Sequence, residues 1–150
     1  MPNMDAKDVL DIQISVNDVI VANRDFDLPL ERLGFRRTAY DRDHLPAGSN
    51  AGSGAWAKRV WLRRGHDDGD VNVHVRLHGA PNERFALLFR DWLRMHPRTI
   101  PAYAAVKRSL AECAPDVDTY SELKDPVVDL VIAVAEAWAL VTQWSVNSIT

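Results

Sequence analysis

The stretch Val71 to Arg94, VNVHVRLHGAPNERFALLFRDWLR, constrains the fold more than any other, because a two-faced strand runs almost directly into an amphipathic helix. Val71, Val73, Val75 and Leu77 alternate with Asn72, His74, Arg76 and His78, the period of a strand with one buried and one hydrophilic face. After Gly79, Asn82 is expected to cap a helix behind Pro81, with Phe85, Leu88, Phe89, Trp92 and Leu93 as its buried stripe. Arg90, Asp91 and Arg94 fall on the opposite side, toward solvent. A core therefore lies behind the strand. A ligand site is expected in front of it, where imidazole, guanidinium and amide groups gather.

The alternation recurs at Val9 to Val16, with Leu10, Ile12, Ile14 and Val16 on one face and Asp11, Gln13 and Ser15 on the other. A short helix is expected over Asp27 to Leu33, ended by Gly34, and a strand over Phe35 to Tyr40. Asp41 to Ala55, DRDHLPAGSNAGSGA, has the composition of a mobile loop. Trp56 to Arg63 resumes as a strand, and RGHDDGD turns it back into the Val71 strand as a hairpin. Two further helices follow, Thr99 to Cys113 and Ser121 to Gln143. The pattern predicts an α/β (α+β) fold, a mixed sheet of about four strands flanked by helices, with a helical C-terminal half.

At 150 residues the chain fits one domain, residues 1–150, with a core of ordinary size. A net charge of -3 lacks the basic field of non-specific nucleic-acid binders, so nucleic acid is not an expected partner and any anion site must be local. Cys113 is the only cysteine, which excludes an internal disulfide framework and fits a reducing, cytoplasmic setting. No apolar run is long enough to cross a bilayer, and MPNMDAKD has no secretory-signal pattern, so no membrane is expected.

Asp11 and Gln13 project in parallel from one strand face. Two carboxylates at that spacing would hold magnesium ions against phosphate oxygens, but here the second group is an amide. Asp11 is thus a candidate metal ligand or catalytic group, with pairing to Lys7 or a sheet arginine as the plainer alternative. His74 and His78 are separated by roughly 13 Å on a strand, too far to share zinc. His74 alone is a candidate general acid or base, or else a hydrogen-bonded sheet histidine. Arg76 suits a phosphate or carboxylate by its planar fork, and suits an internal salt bridge equally. On the second of the three C-terminal helices, Lys107 falls within the apolar stripe of Ile100, Tyr103, Ala104, Leu110 and Ala111. It either snorkels or, with Tyr103 one turn away, contacts a phosphate. GSNAGSG lacks the lysine of a P-loop, the five tryptophans sit at core-like positions, and Cys113 has no activating neighbour in sequence.

These residues resemble the GrpB-like family, small domains of the nucleotidyltransferase superfamily that also occur behind actinobacterial dephospho-CoA kinases. The resemblance covers nearly the whole chain. It rests on AKDVLDIQISV at Ala6 to Val16, KRV at Lys58 to Val60, NVHVRLHGAPNERFALLFRDWLR, YAAVK at Tyr103 to Lys107, and Tyr120 with Lys124 before DPVVDLVI. It implies a nucleotidyltransferase-like cleft at the polar sheet face, and the matching polar positions are Lys7, Asp11, His74, Arg76, Arg90, Tyr103, Lys107 and Lys124. Two departures weaken catalysis. Relatives carry an upstream helix and Gly-Ser turn before a Pro-Gly stretch, of which only Pro2-Asn3-Met4 echoes the end, and Gln13 stands where many nucleotidyltransferases carry a carboxylate. The expectation is a domain that binds a phosphate-bearing small molecule, a nucleotide or coenzyme A precursor, with Asp11 and His74 as catalytic candidates. Lys7, Gln13, Arg76, Arg90, Tyr103, Lys107 and Lys124 would be its ligand contacts. The alternatives are a magnesium-dependent nucleotidyl or phosphoryl transferase using Asp11, and an accessory domain supporting a dephospho-CoA kinase.

Overall fold

The computed structural model describes residues 9–65 and 69–146, so Lys7, the segment before Val9 and part of the hairpin turn lie outside the described residues. Over the described residues the fold is a mixed four-stranded sheet with four α-helices, three of which fill the C-terminal half. Two compact units divide the chain: a sheet unit of Ala6–Leu45 with Asn50–Glu83, and a helical unit that includes Pro46–Ser49 and Arg84–Thr150.

In the sheet unit, β1 (Val9–Val16), β2 (Arg36–Arg37), β3 (Lys58–Arg63) and β4 (Asp70–Leu77) lie in the order β1-β4-β3-β2. β1 runs parallel to β4, and the other two pairings are antiparallel. The register puts Asp11 beside Asn72, Gln13 beside His74 and Ser15 beside Arg76, with Lys58 on the far side of Arg76. Residues paired in this way share a face, so the polar halves of β1 and β4 form one surface. The opposite face carries Trp61, Val71, Val73 and Val75, which pack with Ala22, Phe26 and Leu30 of helix α1 (Val19–Arg32). Leu10 and Ile12 belong to that apolar face but stay largely exposed, because β1 is an edge strand.

α1 starts eight residues earlier than the expected Asp27. Asp18 accepts from the backbone N–H groups of Ile20 and Val21, the N-cap that fixes the true start, and Gly34 at φ 82° supplies the expected left-handed stop. The expected Phe35 to Tyr40 strand shrinks to Arg36–Arg37. The loop after it is anchored: Asp43 N–H donates to the Trp56 carbonyl, and residues Ser53–Trp56 form a 3-10 turn.

Helix α2 (Pro81–Met95) begins with Pro at its first position, and Glu83 reaches back to accept the Gly79 N–H at 2.7 Å. Asn82 does not cap it. The residue lies inside the helix, buried, and donates outward to other groups instead.

In the helical unit, α3 (Ile100–Cys113) follows the break at Pro97, and α4 (Val117–Thr142) starts at an Asp116 cap, four residues before the expected Ser121. Leu88, Trp92 and Leu93 of α2, Tyr103 of α3, and Ile132, Ala135 and Ala139 of α4 make its core with Trp144. Asp91 was expected at the surface and is 1 % exposed. Its carboxylate accepts from Arg90 Nε at 2.7 Å, and from Trp144 Nε1 at 3.2 Å, so the charge is buried with partners. No helix of the described residues is long and apolar enough to cross a membrane.

Candidate functional site

The polar sheet face is organised around Arg76, which is 8 % exposed. Its Nε and Nη2 donate to the two carboxylate oxygens of Asp43 at 2.8 and 3.1 Å, a bidentate pair. Its Nη1 donates to Gln13 Oε1 at 2.6 Å, and Gln13 Nε2 donates onward to the Glu83 carbonyl at 3.4 Å. Lys58 Nζ and Asn82 Nδ2 also donate to Asp43, at 2.9 and 3.0 Å. Two cations thus share one carboxylate, and each of the three side chains is less than a fifth exposed. Burial by itself would raise the Asp43 pKa, but the hydrogen bond and charge of Arg76, then those of Lys58, hold it well below the usual carboxylate range.

At the open end of the same face, Asp11 is 67 % exposed in its side chain. Its Oδ1 accepts from Asn72 Nδ2 at 2.6 Å and lies 3.4 Å from His74 Nε2. With Nε2 as the donor to Asp11, His74 Nδ1 is left as a buried acceptor that has no hydrogen-bond partner among the described residues. At the β4–α2 corner, burial would raise the Glu83 pKa, but hydrogen bonds from Ser15, the Gly79 N–H and His78 lower it. Glu83 is thereby an ionised brace for the corner.

The sheet unit therefore brings Asp11, Gln13, His74 and Arg76 onto one surface with Asn72 of the expected polar strand face, and adds Asp43, Lys58 and Asn82, to which the sequence reading gave no part in a site. Arg76 is held by Asp43 instead of standing free. Lys7 lies outside the described residues. The other candidates belong to the helical unit. Arg90 pairs with Asp91. Lys107 Nζ sits 5.9 Å from the Tyr103 ring centroid and Lys124 Nζ 5.6 Å from that of Tyr120, both within range of a cation–π contact. Burial pushes the Tyr103 hydroxyl up to about 12, so it stays protonated and can only donate or accept hydrogen bonds at neutral pH.

A magnesium site asks for more than the described face holds. Asp11 offers one carboxylate, the Gln13 carbonyl oxygen is taken by Arg76, and no group of three His, Cys, Asp or Glu side chains gathers among the described residues. The donor set of the described residues does not fit a two-metal centre. A cleft of about 880 Å³ exists on the other face, lined by Asp27, Glu31, Phe35, Arg36, Arg37 and Arg64. Its Asp27 is occupied by Trp61 Nε1 at 3.0 Å and Arg37 at 3.3 Å. The convergence of buried charge on Asp43 makes the polar face the stronger site.

Comparison with known proteins bears on this geometry. The model of the GrpB protein family matches residues 1–133. The dephospho-CoA kinase of Mycolicibacterium paratuberculosis is 34 % identical over 157 aligned residues, covering 95 % of this chain and 37 % of the kinase. The UPF0157 protein YqkA of Bacillus subtilis is 30 % identical, covering 92 % of this chain and 36 % of YqkA. This chain thus spans little more than a third of the curated relatives it matches. Among solved structures, the conserved protein GrpB from Enterococcus faecalis superposes with a TM-score of 0.63 at 25 % identity, over 91 % of this chain and 76 % of that one. The chain belongs to the GrpB family.

Proposed function

We propose that this GrpB-family domain is a cytoplasmic, nucleotidyltransferase-like binding module for a phosphate-bearing small molecule, a nucleotide or coenzyme A precursor. The observation that carries the reading is the clamping of Arg76 and Lys58 onto Asp43. A buried guanidinium and a neighbouring ammonium need an anion, and here a loop carboxylate supplies it. A ligand phosphate satisfies the same fork geometry and can take that carboxylate's place. Asp43 rides on the segment between β2 and β3, so the exchange needs movement of a loop and leaves the sheet intact. Asp11, His74 and Asn72 line the open end of the face and offer both donor and acceptor groups to the rest of the ligand.

The family relationship to dephospho-CoA kinases supports a coenzyme A precursor within that class. The same relationship favours a second reading, a domain that assists such a kinase, since the match occupies 37 % of the kinase chain. Calorimetric titration with nucleotides and coenzyme A precursors, with and without magnesium, tests the first reading. Binding that persists without magnesium supports it, and absence of binding by every member overturns it. Co-sedimentation with a dephospho-CoA kinase, with no ligand bound, supports the second.

A further inference from the structure

We propose that the outer face of α4 is a homodimer interface, in which two copies of this chain pair their α4 helices in parallel about a two-fold axis. The inference is independent of the ligand reading above.

From Leu130 to Val141 the helix carries one charged residue, Glu136, and is apolar all round. Its inner side, Ile132, Ala135 and Ala139, is buried in the core. Its outer side is not: Leu130, Leu140 and Val141 are 71, 81 and 85 % exposed, with Leu123 and Val134 also exposed. A helix apolar on every side belongs in an environment that covers every side. On a helical wheel Leu123, Leu130, Val134, Ala137 and Val141 fall in one narrow stripe, with Ala133 and Leu140 at its edge. Leu123, Leu130 and Ala137 recur at heptad spacing, and Ala133 with Leu140 falls at the companion core position, the seam of a two-stranded coiled coil.

Size and charge favour a second copy. The stripe exposes on the order of 600 Å² of apolar side chain, close to the roughly 800 Å² per partner of a stable interface. Glu122, Asp129 and Glu136 run along one flank of the seam, where Glu136 pairs with Arg84 and Asp129 accepts the Ala47 N–H. An antiparallel pairing sets Asp129 of one copy beside Glu136 of the other, twice over. A parallel pairing sets each acid beside a valine of the opposite flank, Val127, Val134 or Val141, and keeps the acids of the two copies apart.

Sedimentation velocity of the full chain over a concentration series tests the interface. The expected result is a dimer that Leu130→Glu weakens tenfold or more, with the far-UV circular dichroism unchanged because Leu130 is exposed in the monomer. A chain that stays monomeric at every concentration, or dimerises equally well as Leu130→Glu, overturns the proposal. The direction of pairing is read by oxidation of Cys113→Ser carrying Ala137→Cys. A parallel seam brings the two new thiols together and yields a disulfide-linked dimer. A dimer that fails to cross-link at position 137 overturns the parallel arrangement.

Discussion

Arg76 and Asp43 sit 33 positions apart in the chain and meet through two hydrogen bonds, Nε to Oδ2 at 2.8 Å and Nη2 to Oδ1 at 3.1 Å. Neither side chain reaches far into solvent. Removing Asp43 strands Arg76 and Lys58 as buried cations without their shared counter-charge. Asp43→Ala is therefore expected to lower unfolding stability by about 3–5 kcal/mol, measured by urea denaturation at pH 7. A loss below about 1 kcal/mol would mean that the pair is solvated like an ordinary surface bridge.

The same pair sets an acid dependence. Folding lowers the Asp43 pKa, so the native state favours its ionised form. That contribution to stability is complete above the unfolded aspartate value of about 4 and is lost progressively as pH falls below it toward the native pKa. Asp43→Asn should flatten the decline in stability below pH 4, as seen in denaturant midpoints collected from pH 5 to pH 2. An acid limb as steep as that of the parent chain would assign the dependence to other carboxylates.

Asp91 offers a test in the helical unit. Burial would raise its pKa, yet hydrogen bonds and charge from Arg90, the Trp144 N–H and then Arg94 lower it. Asp91→Ala leaves the buried Trp144 N–H without its acceptor, and a loss of about 1–3 kcal/mol is expected. A change in tryptophan emission should accompany it, and unaltered emission would show that the Trp144 contact does not form.

Asp11 behaves differently because its side chain is mostly in water. Asp11→Ala should change stability by no more than about 0.5 kcal/mol while weakening ligand binding. A large stability loss with unchanged affinity would make Asp11 a structural residue.

The strand faces were legible in the sequence because alternation has only two phases, and both Val9–Val16 and the Val71 strand form where it places them. Asp43 was not, since it lies in a Gly, Ser and Asp-rich segment without period, and its partners Arg76 and Asn82 are 33 and 39 positions away. The one available signal was indirect: an arginine on a sheet face needs a counter-charge, and the loop holds two acids, Asp41 and Asp43. Asp91 was misplaced for another reason. A two-sided wheel assigns it to solvent, whereas α2 is buried over more than half its circumference by the core that includes Trp144. The early start of α1 was readable from Asp18, a residue with strong capping preference.

In the proposed function, Arg76 and Lys58 form an anion site in which Asp43 stands in for a ligand phosphate. Calorimetric titration of the parent chain, Asp43→Asn and Arg76→Ala with the same nucleotide and coenzyme A precursor panel tests it most directly, with folding of each verified by circular dichroism. Removing the competing carboxylate in Asp43→Asn should tighten binding by about tenfold, and Arg76→Ala should weaken it by at least as much. Equal affinity in all three chains, or weaker binding by Asp43→Asn, would contradict the claim and leave the pair a structural salt bridge.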